Sequence, residues 1–220
     1  MDGVNMSRPC FTKAIHTIAK MGQARGYGPM GRFDDRPHMW FFMSPGHTIR
    51  AERNQSSLAD IILGIDRLVF FVGTEKLNID SLREIVQTME ALALTKVMII
   101  YQTTITASVR KAMEHLIPIQ VELWKVAELM YDIREHKLFC VHTKLGAQDI
   151  ANLVNGLSGV GDVTTDRGTG ATVQDRTTSV LQKLPKILKS DPVVRFFGFQ
   201  RGDVLRIQRP SGSFFFRIVR

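Results

Sequence analysis

His136, Cys140 and His142 are the residues of this chain best suited by type to bind a transition metal. Imidazole and thiolate are the usual zinc donors, and on a strand these three would share one face with Leu138, because alternate residues point the same way. A structural zinc site needs four ligands and no fourth is evident, so half-buried strand residues are the better reading and no metal is expected. Glu135-x-Lys137 has the acid–x–lysine spacing of restriction-type nucleases. Such an enzyme also needs an acidic residue on a neighbouring strand to share a metal ion, and Asp66, just before the first apolar run, is the one tempting partner. So short a pattern occurs readily by chance. A metal-dependent nuclease is therefore the least favoured function class. Gly156, Gly159 and Gly161 lie in a polar stretch rather than between a strand and a helix, so they do not make a phosphate-binding loop. No serine nucleophile motif is found, and neither catalytic residues nor cofactors are expected.

Charge points towards binding instead. The 220 residues carry a net charge of +8, and Lys183 to Arg220 hold nine basic residues against Asp191 and Asp203. Nearly all the excess positive charge is thus at the C-terminal end, where it favours nucleic acid or an acidic protein surface. A solvated basic face is the plainer alternative. Apolar residues at 44% and charged residues at 23% are ordinary for a globular protein. The longest apolar run, Val97 to Tyr101, has strand length and falls far short of the ~20 residues of a membrane span. Two cysteines make no disulfide framework, and Met1 to Asn5 lack the start of a secretory signal. An intracellular protein without membrane contact is the expectation.

The elements around these residues are legible in part. Phe11, Ile15 and Ile18 keep the spacing of one helical face, with Ser7 as a cap and Gly26 as a stop. From Pro29 to about Gly64 the pattern breaks down, apart from a short strand at Trp40-Phe41-Phe42. Leu68 to Val72 reads as a strand buried on both faces. Leu82, Ile85, Val86, Met89 and Leu92 then mark a helix, started by a capping box at Ser81 and Glu84 or by the rival cap Asn78. Val97 to Tyr101, a helix through Val109, Ala112, Met113 and Leu116, and a strand from Ile119 to Trp124 complete an α/β domain with at least part of its sheet parallel. A short helix through Ile150, Leu153 and Val154 follows. Residues 156–178 read as a flexible loop, being rich in Gly, Thr, Asp and Ser. Val204 to Ile207, a turn at Pro210-Ser211-Gly212 and Phe214 to Val219 form a hairpin in a second small domain.

The C-terminal blocks are specific. Leu184-Pro185-Lys186-Ile187, Asp191-Pro192-Val193-Val194-Arg195-Phe196-Phe197-Gly198, Arg201-Gly202-Asp203-Val204 and Ile207-x-Arg209-Pro210-Ser211 occur in order within 28 residues. They closely resemble the fifth subunit common to eukaryotic RNA polymerases I, II and III, whose last domain corresponds to a small subunit of the archaeal polymerase. Upstream, Arg25-Gly26-Tyr27 and Glu135-His136-x-Leu138-x3-His142 resemble further family blocks, collinear with the first. Cys140 replaces the family's usual Pro, the Gly/Thr-rich stretch is longer, and the final hairpin is shorter. A divergent eukaryotic or large-DNA-virus form is implied.

The resemblance implies an α/β jaw domain, restriction-endonuclease-like, over residues 1–142, then a small α+β assembly domain over 143–220 with a flexible insertion at about 156–178. The protein would be a non-catalytic subunit of a DNA-directed RNA polymerase, acting in transcription in the nucleus, or in a viral factory or virion if viral. Its last domain would dock on the largest subunit and lie among other polymerase subunits. Asp191, Pro192, Arg195, Arg201, Gly202, Arg209, Pro210 and Ser211 are the candidates for that contact, since Pro and Gly fix corners and Arg offers bidentate donors. The jaw would face downstream duplex DNA. Thr106-Ala107-Ser108 resembles a family block at a helix start, where unpaired N–H groups suit a phosphate. Thr106, Ser108, Arg110 and Lys111 are the DNA-facing candidates, against the alternative of an ordinary cap and a solvated basic turn. A free-standing basic nucleic-acid-binding protein is the rival function.

Overall fold

The computed structural model describes residues 9–36, 38–46, 64–72, 76–158 and 173–220, the side chains of 158 and 173–177 apart. Ser7 lies outside them. The chain divides into two compact units, Met1–Asp132 and Ile133–Arg220.

In the first unit, Phe11, Ala14, Ile18 and Met21 form the buried stripe of α1 (Pro9–Ala24). Gly26 stops this helix at φ 76°, a value that costs glycine no steric strain. Its N–H donates to the Gln23 carbonyl and the Tyr27 N–H donates to the Gly22 carbonyl, each at 3.0 Å, closing the last turn. There follow β1 (Met30–Arg32), β2 (Met39–Met43), β3 (Ile65–Phe71), the short β4 (Lys76–Leu77) and α2 (Ile79–Ala91). Then come β5 (Lys96–Tyr101), the short β6 (Thr104–Ile105), α3 (Ala107–Met113) and β7 (Gln120–Lys125). The sheet order is β1-β2-β3-β5-β7. Strands β3, β5 and β7 are parallel, β5 and β7 each reached through a helix, whereas β1 and β2 are antiparallel to their neighbours.

The continuous apolar runs are explained by layers on both faces. Leu68, Phe70, Val97 and Ile99 pack with Leu82, Ile85 and Met89 of α2 and Val109 of α3. The next residue along, Phe71, meets Phe11 of α1 edge to face, with centroids 6.1 Å apart. Asn78 starts α2, its side chain accepting the Ser81 N–H at 2.8 Å, so the rival cap holds the position rather than the Ser81–Glu84 box.

The second unit starts ten residues earlier than the expected boundary after His142. Strand β8 (Val141–Lys144) pairs antiparallel with β10 (Val204–Gln208), so it belongs with the C-terminal sheet. Between them lie α4 (Ala147–Ser158), α5 (Val173–Lys183), β9 (Lys186–Ile187) and α6 (Pro192–Phe197). Strand β11 (Phe214–Val219) closes the chain, and the order is β8-β10-β11-β9. Ile187, Val194, Leu205, Ile207 and Val219 make its core. The reading of 156–178 as a loop needs correction at both ends. Gly156 to Ser158 finish α4, and 173–178 are the start of α5; 159–172 lie outside the described residues. The polar, Thr-rich composition hid this helix, near whose end Val180 and Leu181 are half-buried.

Candidate functional site

The docking candidates fall into two groups at opposite ends of the β10–β11 hairpin, roughly 15 Å apart along the strand. Asp191 caps α6, its Oδ1 accepting the N–H groups of Val193 at 2.9 Å and Val194 at 3.3 Å, and Pro192 occupies the first helical position, where no N–H is needed. Gly198 ends the helix at φ 70°. Arg195 is half-buried in its last turn. The chain then turns at Gln200 to Asp203, with the Asp203 N–H donating to the Gln200 carbonyl at 3.0 Å and Gly202 at φ 89°. That turn is the predicted Arg201-Gly202-Asp203 corner. Asp203, which is not among the docking candidates, holds it by accepting the Gln200 N–H and the Lys144 ammonium, each at 2.8 Å. Arg201 stands exposed at the tip.

At the other end, Arg209, Pro210 and Ser211 form the exposed hairpin turn. Arg209 lies over the Phe215 ring, 4.1 Å from its centroid, and Arg206 lies over Phe214 at 5.2 Å. The Ser211 and Ser213 hydroxyls are 2.8 Å apart. Among the described residues, Arg201, Arg206 and Arg209 make no ion pair within the chain. A guanidinium that lies over a ring without an acidic partner retains N–H donors for a carboxylate or phosphate.

In the first unit, Thr106 precedes α3 as expected. Its backbone is fixed by the parallel β4–β6 pair and by a 3.2 Å hydrogen bond from its N–H to the Leu77 carbonyl. Its hydroxyl makes no cap bond and lies 3.1 Å from the Ser108 hydroxyl. Val109 is buried, which turns Arg110 and Lys111 out to solvent. Ser108 is exposed beside them.

The metal and nuclease residues are not arranged as a strand would arrange them. Ile133 to Glu135 form a single 3-10 turn, and His136 and Cys140 precede β8, so only His142 is on the strand. Its Nδ1 is 2.7 Å from the Cys140 carbonyl, while His136 Nδ1 accepts the Leu138 N–H at 3.2 Å. Among the described residues no group of three or more His, Cys, Asp or Glu is placed to hold a metal ion. Asp66 lies within β3, not before it, and pairs with Lys96 at 2.9 Å. Glu135 and Asp66 belong to different units.

A polar cluster that sequence reasoning missed lies between α1, β3 and β7. Glu122 accepts two bonds from Arg25, at 2.6 and 2.8 Å, one from Arg67 at 3.1 Å and one from the Trp124 indole at 2.8 Å. Burial would push this carboxyl up, but the bond and charge of Arg25, with Arg67 and Trp124, outweigh it and hold the group below its usual range. The two arginines are 97 and 55 residues from Glu122, so no local pattern announces them.

Comparison with known proteins agrees with these blocks. The family described as RNA polymerase Rpb5, C-terminal domain, matches residues 171–219. The RPABC1 subunit of DNA-directed RNA polymerases I, II and III from Caenorhabditis elegans is 31% identical over 204 residues, 89% of this chain and 86% of the worm protein. The corresponding subunit of Dictyostelium discoideum is 27% identical over 146 residues, 65% of this chain and 64% of that protein. Subunit 5A of RNA polymerase V from Arabidopsis thaliana is 24% identical over 142 residues, 64% of this chain and 54% of that protein. With its C-terminal blocks seated on the turns and caps just described, and with a similarity that runs through both units, the chain belongs to the family of the fifth, non-catalytic subunit of DNA-directed RNA polymerases.

Proposed function

We propose that the second unit docks this subunit on the largest subunit of a nuclear RNA polymerase, while the first acts as a jaw facing downstream duplex DNA. The observation that carries the docking reading is the set of exposed arginines at both ends of the β10–β11 hairpin. Arg206 and Arg209 each lie over a ring, Arg201 stands at the tip of a turn, and none is ion-paired within the described residues. Such pre-set donors fit a large partner bearing carboxylates better than a solvated face, whose lysines and arginines gain nothing from being fixed. The jaw reading is supported by the parallel β3-β5-β7 core with helices on both faces, compatible with a restriction-endonuclease-like fold, and by the basic, solvent-facing side of α3. A viral factory or virion replaces the nucleus if the chain is viral.

Affinity purification of the full chain from its native source tests the proposal. Large polymerase subunits are expected to co-purify, and a chain lacking Lys183 to Arg220 is expected to lose them. A full-length chain recovered as a monomer bound only to nucleic acid would overturn the reading in favour of a free-standing basic nucleic-acid-binding protein.

A further inference from the structure

Arg67, in the polar cluster around Glu122, leaves most of its hydrogen-bonding capacity unused. Each Glu122 oxygen already accepts two bonds: Oε1 from Arg25 Nη2 and the Trp124 indole, Oε2 from Arg25 Nη1 and Arg67 Nη1. A carboxylate oxygen has two lone pairs, so Glu122 has no room for a further donor. Arg67 gives Glu122 one bond from Nη1, at 3.1 Å, and among the described residues its Nε and Nη2 donate to nothing. Yet the side chain is only 12% exposed, with its guanidinium 5.5 Å from the centroid of the Tyr27 ring. A buried donor without an acceptor has lost its hydration and gained nothing in return, so each such group calls for an explanation. Charge points the same way. Arg25 and Arg67 face one carboxylate, two positive charges against one negative, and the neighbouring Asp66–Lys96 pair is neutral as a unit, at 2.9 Å. One further negative charge would balance the cluster.

We infer that the Arg67 side of this cluster binds one compact oxyanion, a carboxylate or a phosphate, which accepts from Nη2 and neutralises the guanidinium. The Nε atom is enclosed, whereas Nη2 is not, so Nη2 is the donor that opens to solvent, beside a Glu122 side chain that is itself 26% exposed. A charge-assisted bond to an oxyanion is the strongest partner such a donor can find. So small an opening admits a free ion or a carboxylate at the tip of a partner's side chain. It does not admit the rigid backbone of a duplex. The position agrees, because Leu68, next to Arg67, pairs with Val97 near the start of β5, whereas Thr106 and α3 follow the other end of that strand. The site is therefore separate from the DNA-facing candidates. It lies in the first unit and does not depend on the docking reading of the second.

The test needs no variant. Inorganic phosphate is titrated into the full wild-type chain, with ionic strength held constant by chloride, and the arginine Nε–H resonances are followed by NMR. The Arg67 resonance is expected to shift saturably, while those of exposed Arg110 and Arg201 drift only in proportion to concentration. The second arm is the structure of the assembled polymerase, prepared with and without phosphate. Density at Nη2 that is continuous with a side chain of another subunit would identify the source as a partner's carboxylate. Isolated density that appears only with phosphate would identify it as a free ion. A saturable Arg67 shift in the free chain, or either kind of density in the complex, supports the site. If the Arg67 resonance moves no differently from those of Arg110 and Arg201, and the complex shows only water at Nη2, the inference is overturned and the guanidinium is merely hydrated.

Discussion

Arg25, at the C-terminal end of α1, donates two guanidinium bonds to Glu122 on the edge strand β7, 97 residues further along the chain. A helix end and a sheet edge are thereby tied by one carboxylate that Arg67 and Trp124 also share. Burial disfavours charge on Arg25, but Glu122, with Tyr27, outweighs it and holds the guanidinium's pKa above its ordinary value.

Removing the charge of Glu122 leaves two guanidinium groups without their acid. Glu122→Gln is expected to destabilise the first unit by roughly 3 kcal/mol at pH 7, the order found when one partner of a buried pair is removed. The sign of the pH dependence follows from the depressed folded pKa of Glu122. Its stabilisation is complete above the ordinary carboxylate pKa, about 4.3, and is lost as pH falls through the lower folded value. Denaturant titrations of both proteins should therefore diverge at pH 7 and draw together progressively as pH falls below about 4.3. A constant gap would exclude Glu122 as the titrating group.

Gly22 on α1 faces the Phe42 ring of β2 so closely that an added Cβ would lie 2.6 Å from Cζ. No rotation of the new methyl relieves that overlap, so the ring or the helix must shift. Gly22→Ala is expected to lower stability by about 1–3 kcal/mol despite alanine's better helix propensity. Gly22→Ala combined with Phe42→Leu, measured in a double-mutant cycle, should recover part of the loss.

Asp191 separates folding from docking. Its carboxylate already accepts two backbone N–H groups of α6, so Asp191→Ala should cost about 1 kcal/mol of stability. Asp191→Asn, which retains a cap acceptor, should melt close to the wild type. If Asp191→Asn keeps its fold and still loses the largest subunit, the carboxylate acts in docking as well as in the cap.

The parallel core was legible because the runs Leu68–Val72 and Val97–Tyr101 are continuous, of strand length and bracketed by helix-spaced residues. The hairpin was legible because Pro210, Ser211 and Gly212 divide two apolar runs. What the sequence concealed was of two kinds. Helix α5 is too polar through Thr177 and Thr178 for periodicity to show, and residues 136–140 alternate as a strand would while the chain bends. The Glu122 cluster joins three separated segments, and a contact between segments so far apart leaves no mark in either one.

Arg110 and Lys111 carry the most direct test of the jaw. Both are exposed on α3, whose other side is fixed by buried Val109, so charge reversal there should not disturb the core. If each side chain neutralises one phosphate, the double variant Arg110→Glu, Lys111→Glu in assembled polymerase should bind downstream duplex DNA more weakly. The log–log salt slope should fall by about 1.8, since each contact contributes about 0.9. The weakening should be the same for any DNA sequence, because phosphate contacts carry no base information. Filter binding or fluorescence anisotropy across a salt series measures both quantities. An unchanged slope with normal assembly would assign these residues to solvent, and the DNA-facing reading of Thr106 and Ser108 beside them would go with it.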